Sequence, residues 1–151
     1  MSAMWPILVD RLVSLLPTLP GWSGVAVYDG PPVTADAPVD YVTVGYVLGE
    51  DFGGTYEQTR NGEGGWQRAL EESGTVRSEV VCTTGDVDLP SVRARAFALV
   101  DAWDAEIARD ETLGVLGPSS SSSLSVDVEP AQTTGGAVQR LTVTFSYFAR
   151  S

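Results

Sequence analysis

The 151-residue sequence contains no lysine and no histidine, and all nine of its basic residues are arginine. Histidine is the usual general base near neutral pH, and lysine is the usual Schiff-base residue and phosphate ligand. The single cysteine, Cys82, excludes an intrachain disulfide framework. Carboxylates are the only plentiful reactive groups, with twenty of them. These absences favour a protein that acts through its surfaces over an enzyme, and they indicate no cofactor.

The charge balance is strongly acidic, with a net charge of −11 at pH 7. Nucleic-acid-binding domains normally present a basic face, so this balance argues against a DNA or RNA binder. No apolar run approaches the roughly 20 residues needed to cross a bilayer, which indicates no membrane association. The apolar stretch 4–16 carries Asp10 and Arg11 and has no basic leader. It therefore predicts an amphipathic helix rather than a signal peptide, and a protein made and used in the cytoplasm.

Residues 1–151 are predicted to form a single domain, because 43% of the chain is hydrophobic and its length suits one core. The helix over 4–16 has leucines at helical spacing. Strands are predicted at residues 25–28 and 40–47 from their apolar and β-branched content. The segment 76–83 also reads as a strand, and its alternation turns one set of side chains to the same face: Val76, Ser78, Val80 and Cys82.

The strongest helical pattern follows this strand and is capped by Asp88 or Ser91, with Pro90 in its first turn. Its apolar stripe has helical intervals and consists of Val92, Ala96, Leu99, Val100, Trp103 and Ile107. Three arginines lie off this stripe and are candidates for pairing with carboxylates of a neighbouring subunit: Arg93, Arg95 and Arg109.

Residues 117–123 are rich in serine and are predicted to form a loop. The segments 124–128 and 141–147 then alternate between apolar and polar residues, which predicts a hairpin with one apolar face. The apolar stripe of the second helix is predicted to pack against that face. The sequence therefore predicts an α+β fold, in which a mostly antiparallel sheet packs against two main helices.

The segment 49–74 differs from the rest because seven glycines separate its aromatic residues. A connection of this length in a compact domain is usually functional or mobile, so a mobile insertion is predicted, and residues 66–72 have the length for one or two helical turns. Its candidate interface residues are Phe52, Tyr56 and Trp66. These aromatics either anchor the insertion onto the domain or bury in a partner, as interface hot spots do, and the sequence favours neither alternative.

Three patterns that suggest specific chemistry have better structural explanations. Asp101 and Asp104 share a helix face but Glu106 points elsewhere, so a solvated face is favoured over a metal site. The glycine-rich residues 61–65 lack the spacing and the lysine of a phosphate-binding loop. Cys82 has no histidine to activate it and is predicted to be a core residue. The sequence therefore predicts no catalytic, metal or cofactor site.

Seven short segments occur in an order that suggests a known family. They are 27–31 (VYDGP), 40–45 (DYVTVG), 79–82 (EVVC), 95–102 (RAFALVDA), 110–114 (DETLG), 136–138 (GAV) and 140–143 (RLTV). In this order they resemble the small tail terminator and neck proteins of long-tailed bacteriophages that infect actinobacteria. The lysine-free composition, rich in Ala, Val, Asp and Arg, also fits a high-GC genome. The resemblance covers most of the chain.

The resemblance implies an α+β subunit of a six-fold ring, a hexamer, at the head-proximal end of the tail tube. Such a ring stops polymerisation of the major tail tube protein and presents a surface to the head–tail connector or stopper protein. DNA passes through its lumen without specific binding. The resemblance thus implies a structural virion protein of the tail or neck, assembled in the host cytoplasm and without catalytic residues.

Three other functions remain open at this point. The first is a head-side adaptor or head-closure protein of the same neck, which differs in its partners. The second is a small enzyme that uses a pair of carboxylates, as glycosidases do, although the sequence offers no clear pair. The third is a general α+β binding domain that stays monomeric and forms no ring.

Overall fold

The computed structural model describes residues 3–32, 40–61 and 69–150. The α-helices and strands in this part of the chain are, in order, α1 (Met4–Leu15), β1 (Ala26–Asp29), β2 (Asp40–Val44), β3 (Gly54–Asn61), β4 (Ala69–Thr84), α2 (Leu89–Arg109), β5 (Ser121–Val128) and β6 (Ala137–Arg150), and a 3-10 helix, Leu16–Thr18, follows α1. The predicted α+β fold, with a mostly antiparallel sheet and two main helices, is confirmed.

All six strands belong to one sheet, in the order β1-β2-β4-β6-β5, with β3 also paired to β4. Only β1 and β2 are parallel; every other pair in the sheet is antiparallel. The 16-residue β4 is long enough to hold two strands along one edge. β3 pairs with its residues 69–76 and β2 with its residues 78–82, while β6 pairs with residues 71–84 along the other edge.

Both helices pack on the same face of the sheet, which we call the covered face. The alternation of β4 and β6 turns their apolar residues to this face, and the sequence-predicted set of Val76, Ser78, Val80 and Cys82 is buried there. All six residues of the predicted α2 stripe are also buried, as are the leucines of α1. One hydrophobic core therefore lies between the helices and the sheet.

The N-terminus of α1 is held by a carboxylate from the sheet. No side chain of the helix itself caps its N-terminus. Instead, both carboxylate oxygens of Glu72 on β4 accept the Met4 amide N–H at 3.0 Å. The same carboxylate, only 2% exposed, also accepts from the Gln58 amide at 2.8 Å and the Tyr147 hydroxyl at 2.6 Å. Negative charge at a helix N-terminus is favourable, so Glu72 ties α1 to three strands.

The segment 49–74 is not the long loop that its glycine content suggests. Its described part contains all of β3 and the first residues of β4, which form a β-hairpin arm. The helical turns predicted over residues 66–72 are wrong for residues 69–72, which belong to β4, while residues 66–68 lie outside the described part of the chain. The pattern is misleading because residues 55–59 of β3 are exposed on both faces, so no apolar alternation marks the strand.

The loop predicted over residues 117–123 is wrong for its last three residues. Ser121, Ser122 and Ser123 are the first residues of β5 rather than part of a loop. Serine has a low intrinsic preference for strands, and here the extended conformation comes from pairing with residues 146–148 of β6. Tertiary pairing therefore overrides local composition at this position.

Candidate functional site

The face of the sheet opposite the helices carries small hydroxyl residues in rows across the strands. One row runs from Thr55 through Thr75 and Ser146 to Ser123, each residue paired with the next. Neighbouring rows contribute Ser73, Thr144, Ser121 and Ser125. No described helix covers these residues, and we call this surface the bare face.

Two shallow depressions of about 420 Å³ each lie side by side where β3, β4, β5 and β6 meet. Their lining is dominated by serine and threonine, and they share Ser146 and Tyr147. Glu57 is the one carboxylate in the lining of the pair. These two depressions therefore bring together no paired carboxylates of the kind a glycosidase uses.

A short loop over residues 46–52 lies on the β2 end of the bare face. The chain leaves the sheet at Gly45 and returns at Gly53, and both residues bond to Arg77, through its carbonyl and its amide. A side chain on Gly53 would approach the Gly45 carbonyl oxygen to 2.0 Å, so only glycine allows this contact. Because its ends touch, the segment is an Ω-loop inserted between β2 and β3.

Three side chains of the bare face hold the Ω-loop in place. Thr43 donates to the Tyr46 carbonyl at 2.7 Å, and the buried Glu79 accepts the Leu48 amide N–H. Arg77 pairs with Glu50 of the loop at 3.3 Å. The backbone of the Ω-loop is thus fixed to the sheet at several points.

The Ω-loop presents two large apolar side chains to solvent. Leu48 is 64% exposed and the predicted interface residue Phe52 is 71% exposed. Asp51 between them is also exposed. Leu48 escaped the sequence prediction because a single leucine among glycines gives no periodic signal.

The other two predicted aromatics do not lie on the Ω-loop in the part of the chain that the structure describes. Tyr56 is 53% exposed and lies on β3, where its pairing with Gly74 turns it to the side of the covered face. Trp66 lies outside the described residues. The structure therefore places Phe52 on a loop and Tyr56 on a strand, rather than both in one mobile insertion.

The three predicted interface arginines have different environments. Arg95 forms a two-point contact with Asp40 at 2.9 and 3.1 Å and donates to the Thr83 carbonyl at 2.7 Å, which fastens α2 to β2 and β4. Arg109 pairs with Glu106 one turn earlier on the helix, and this hydrogen bond lowers the pKa of the Glu106 carboxyl. Arg93 is exposed and has no ion pair with the described residues.

Most of the described arginines are neutralised within the same chain. On the bare face, Arg140 pairs with Glu79 at 2.8 Å and Arg150 with Glu71 at 3.6 Å. Together with Arg77, this leaves the bare face without an unpaired arginine among the described side chains. Exposed carboxylates remain on this side of the molecule at Asp51, Glu57 and Asp127.

Two long strand edges have no partner strand among the described residues, besides the edge of the four-residue β1. The outer edge of β5 pairs with nothing beyond β6, and the outer edge of β3 pairs with nothing beyond β4. Both strands are eight residues long. Free edges of this length are normally protected by lysine, proline or bulges, because they can pair with another chain.

The remaining candidates from the sequence have structural roles. Cys82 is fully buried, and burial raises the pKa of its thiol to about 12, which makes it unreactive. Asp88 caps α2 by accepting the Ser91 amide N–H at 3.1 Å, as predicted. Within residues 3–32, 40–61 and 69–150, no group of three or more acidic, cysteine or histidine residues is placed to hold a metal ion.

No protein-family model matches the chain, and no curated protein matches it either. No helix in the described part of the chain is long and apolar enough to cross a membrane.

Proposed function

We propose that this chain is the subunit of a structural ring in the neck of a long-tailed bacteriophage, of the tail terminator type. The observation that carries the proposal is the bare face: a broad polar surface, rich in hydroxyls, on which each described arginine is paired with a carboxylate of the same chain. Binding of DNA phosphates needs available cations, so such a surface suits the wall of a lumen through which DNA moves without being held.

The two free strand edges support the ring itself. A closed ring requires heterologous contacts, in which one patch of each subunit meets a different patch of the next. The edges of β3 and β5 are two different patches on opposite sides of the same sheet. With the helices outside and the bare face inside, each subunit contributes a segment of a continuous polar wall.

The role that follows is to cap the tail tube, to stop its polymerisation and to join it to the head connector. Six copies, the major tail tube protein and a connector or stopper protein are the partners in this proposal, and the assembled ring belongs to the virion neck. The family resemblance of the sequence supports these details. The depressions described above, with a single lining carboxylate, give no support to the enzyme alternative.

The test is negative-stain microscopy of lysates from the encoding phage with this gene switched off. Overlong tubes beside filled, tailless heads are expected if the protein caps the tube. Normal-length free tails beside heads that have lost their DNA would instead assign the protein to the head side of the joint, as an adaptor or stopper.

A second test addresses the lumen directly. The purified protein should give no gel shift with duplex DNA at about 150 mM salt, where a basic protein would still bind. Replacing Glu50 and Glu71 with glutamine frees Arg77 and Arg150 on the bare face. This double variant should bind DNA more strongly than the unchanged protein, and a clear shift by the unchanged protein would refute the proposed lumen.

A further inference from the structure

We infer that β5 of one copy pairs antiparallel with β3 of the next copy in a defined register, with Tyr56 packed across Val126 of its neighbour. This inference rests on the proposed ring and adds the surface, the partner strand and the register. Its starting point is that the described part of the chain leaves two eight-residue edges unpaired.

The strand directions suit a repeating contact. At this end of the sheet the strands follow the order β3-β4-β6-β5, and each neighbouring pair is antiparallel. β3 and β5 therefore run in opposite directions on opposite edges. When the β5 edge of one copy meets the β3 edge of the next, the new pair is antiparallel too, and the four-strand pattern continues unchanged from copy to copy.

The two edges are also offset along the sheet. Glu57 of β3 and Ser121 of β5 lie at the same level, since both are connected through the pair Ser73 and Phe148. From that level, β3 continues four residues to Asn61 in one direction, whereas β5 continues seven residues to Val128 in the other. If all eight residues of both strands pair, each copy is therefore shifted along the strand direction by four residues relative to the copy before it.

A shift of this size is compatible with a closed sheet. Closing a sheet needs tilted strands and a fixed stagger, and a stagger of one residue per strand gives a tilt of about 36° in eight-stranded barrels. Four residues over four strands is the same ratio. Because the shift is an even number, every side chain keeps its face, and the bare faces of all copies join on one side.

The side chains in this register are complementary. Tyr56 falls opposite Val126, an aromatic and β-branched pair of the kind that stabilises neighbouring strands. Exposed Val128, at 56%, lies beside them on the same side of the sheet. Glu57 faces Ser125, so no like charge lies directly opposite the glutamate. A further shift by two residues would place Glu57 directly opposite Asp127, which opposes that alternative.

The register can be determined by disulfide cross-linking, because the native Cys82 is buried and does not form a competing disulfide. The double variant Glu57→Cys with Ser125→Cys places the two thiols directly opposite each other between copies, within bridging distance. Within one copy the same positions are separated by three strand spacings, roughly 14 Å, which forbids an internal bridge. Each disulfide therefore reports a contact between two molecules.

The matched control is Glu57→Cys with Ser121→Cys. Ser121 lies on the same face and strand as Ser125 but four residues away, roughly 13 Å from the partner position. At about 1 mM protein under mild oxidation, a ladder of covalent multimers is expected from the first variant and none from the control. The mass of the unoxidised protein is measured in the same solution by light scattering.

The outcomes separate the register from the proposed function. Multimers by mass, with cross-links only in the control or in neither variant, would overturn the register and leave the ring proposal standing. A monomer at about 1 mM without cross-links would overturn the edge pairing itself. The gene-silencing microscopy decides the tail-capping role independently of both results.

Substitution of Tyr56 tests the apolar contact without touching the core. Tyr56→Ser should weaken association by roughly fivefold per interface, the upper range for one cross-strand pair. The control is Phe148→Ser, which removes an aromatic residue, 36% exposed, from β6 in the interior of the sheet. Equal effects of the two substitutions, with both variants folded by circular dichroism, would contradict the assigned role of Tyr56.

Discussion

Among the described residues, each face of the sheet buries one glutamate, and the two carboxylates are satisfied by different groups. Glu72, on the covered face, accepts hydrogen bonds from neutral donors: the Met4 amide, the Gln58 amide and the Tyr147 hydroxyl. Glu79, on the opposite face, pairs with the Arg140 guanidinium and accepts the Leu48 amide. One glutamate fixes a helix to the sheet, and the other fixes the Ω-loop.

The difference shows how the two faces use charge. Glu72 is stabilised by its donors and by the dipole of α1, so no arginine is needed beneath the helices. Glu79 uses an arginine, and in doing so removes that cation from the surface of the bare face. The carboxylates that remain exposed on the bare face are those outside this pair, at Asp51, Glu57 and Asp127.

The largest expected effect is from Glu72→Ala. The substitution leaves a buried tyrosine hydroxyl and a helix N-terminus without their acceptor, and should lower the free energy of unfolding by about 3 kcal/mol. Glu57→Ala, on the exposed strand beside it, should change this value by less than about 0.5 kcal/mol. Urea denaturation of both variants measures the difference, and equal values would contradict the anchoring role of Glu72.

Removal of Arg140 should have a smaller effect. Arg140→Ala leaves the Glu79 carboxylate buried without its cation, at a cost of about 2 kcal/mol, because Arg140 is partly exposed and its pair is partly solvated. The matched variant is Arg93→Ala, since Arg93 is exposed and unpaired among the described residues. The denaturant midpoints of the two variants are compared. A loss of stability in Arg93→Ala as large as in Arg140→Ala would show that the ion pair between Arg140 and Glu79 does not contribute to stability.

A smaller change isolates one donor of Glu72. Tyr147→Phe removes the hydroxyl and keeps the ring, so we expect a loss of about 1 kcal/mol in the free energy of unfolding. The carboxylate keeps its other two donors. Combining Tyr147→Phe with Glu72→Ala in a double-mutant cycle should give less than the sum of the two losses, because both remove the same hydrogen bond.

The smallest expected effect at neutral pH is from substitution of Cys82. Its pKa is raised to about 12 by burial, whereas an exposed thiol titrates near 9.0. The unfolded chain therefore releases this proton first as pH rises, and stability falls between about pH 9 and 12. Cys82→Ala should reduce that slope while leaving the pH dependence below 8 unchanged. Parallel slopes for both proteins in urea titrations at pH 8 to 11 would contradict the buried thiol.

Sequence patterns alone are sufficient to predict the two helices and the residues of the covered face. The α2 stripe is recognisable because burial imposes a helical interval on Val92, Trp103 and the residues between them. Asp88 and Pro90 mark the helix start by local capping chemistry, which needs no tertiary information. The alternation in β6 is equally clear, since one face of that strand is buried along its length.

The same reasoning fails where both sides of an element are exposed or where the partner is distant. β3 carries no apolar alternation, so composition alone gives it the appearance of a loop. Arg95 looks like a free surface cation, but its partner Asp40 lies 55 positions away and only the folded sheet brings the two together. Short sequence windows contain no information on such contacts.

The meeting of Gly45 and Gly53 has a consequence for how this surface can evolve. Because the strands β2 and β3 join at one point, the residues between them can be exchanged or lengthened without altering the register of the sheet. Leu48 and Phe52 therefore lie on a loop that can be replaced without changing the strands. A few mutational steps could change what this loop contacts while the pairing of the strands stays the same.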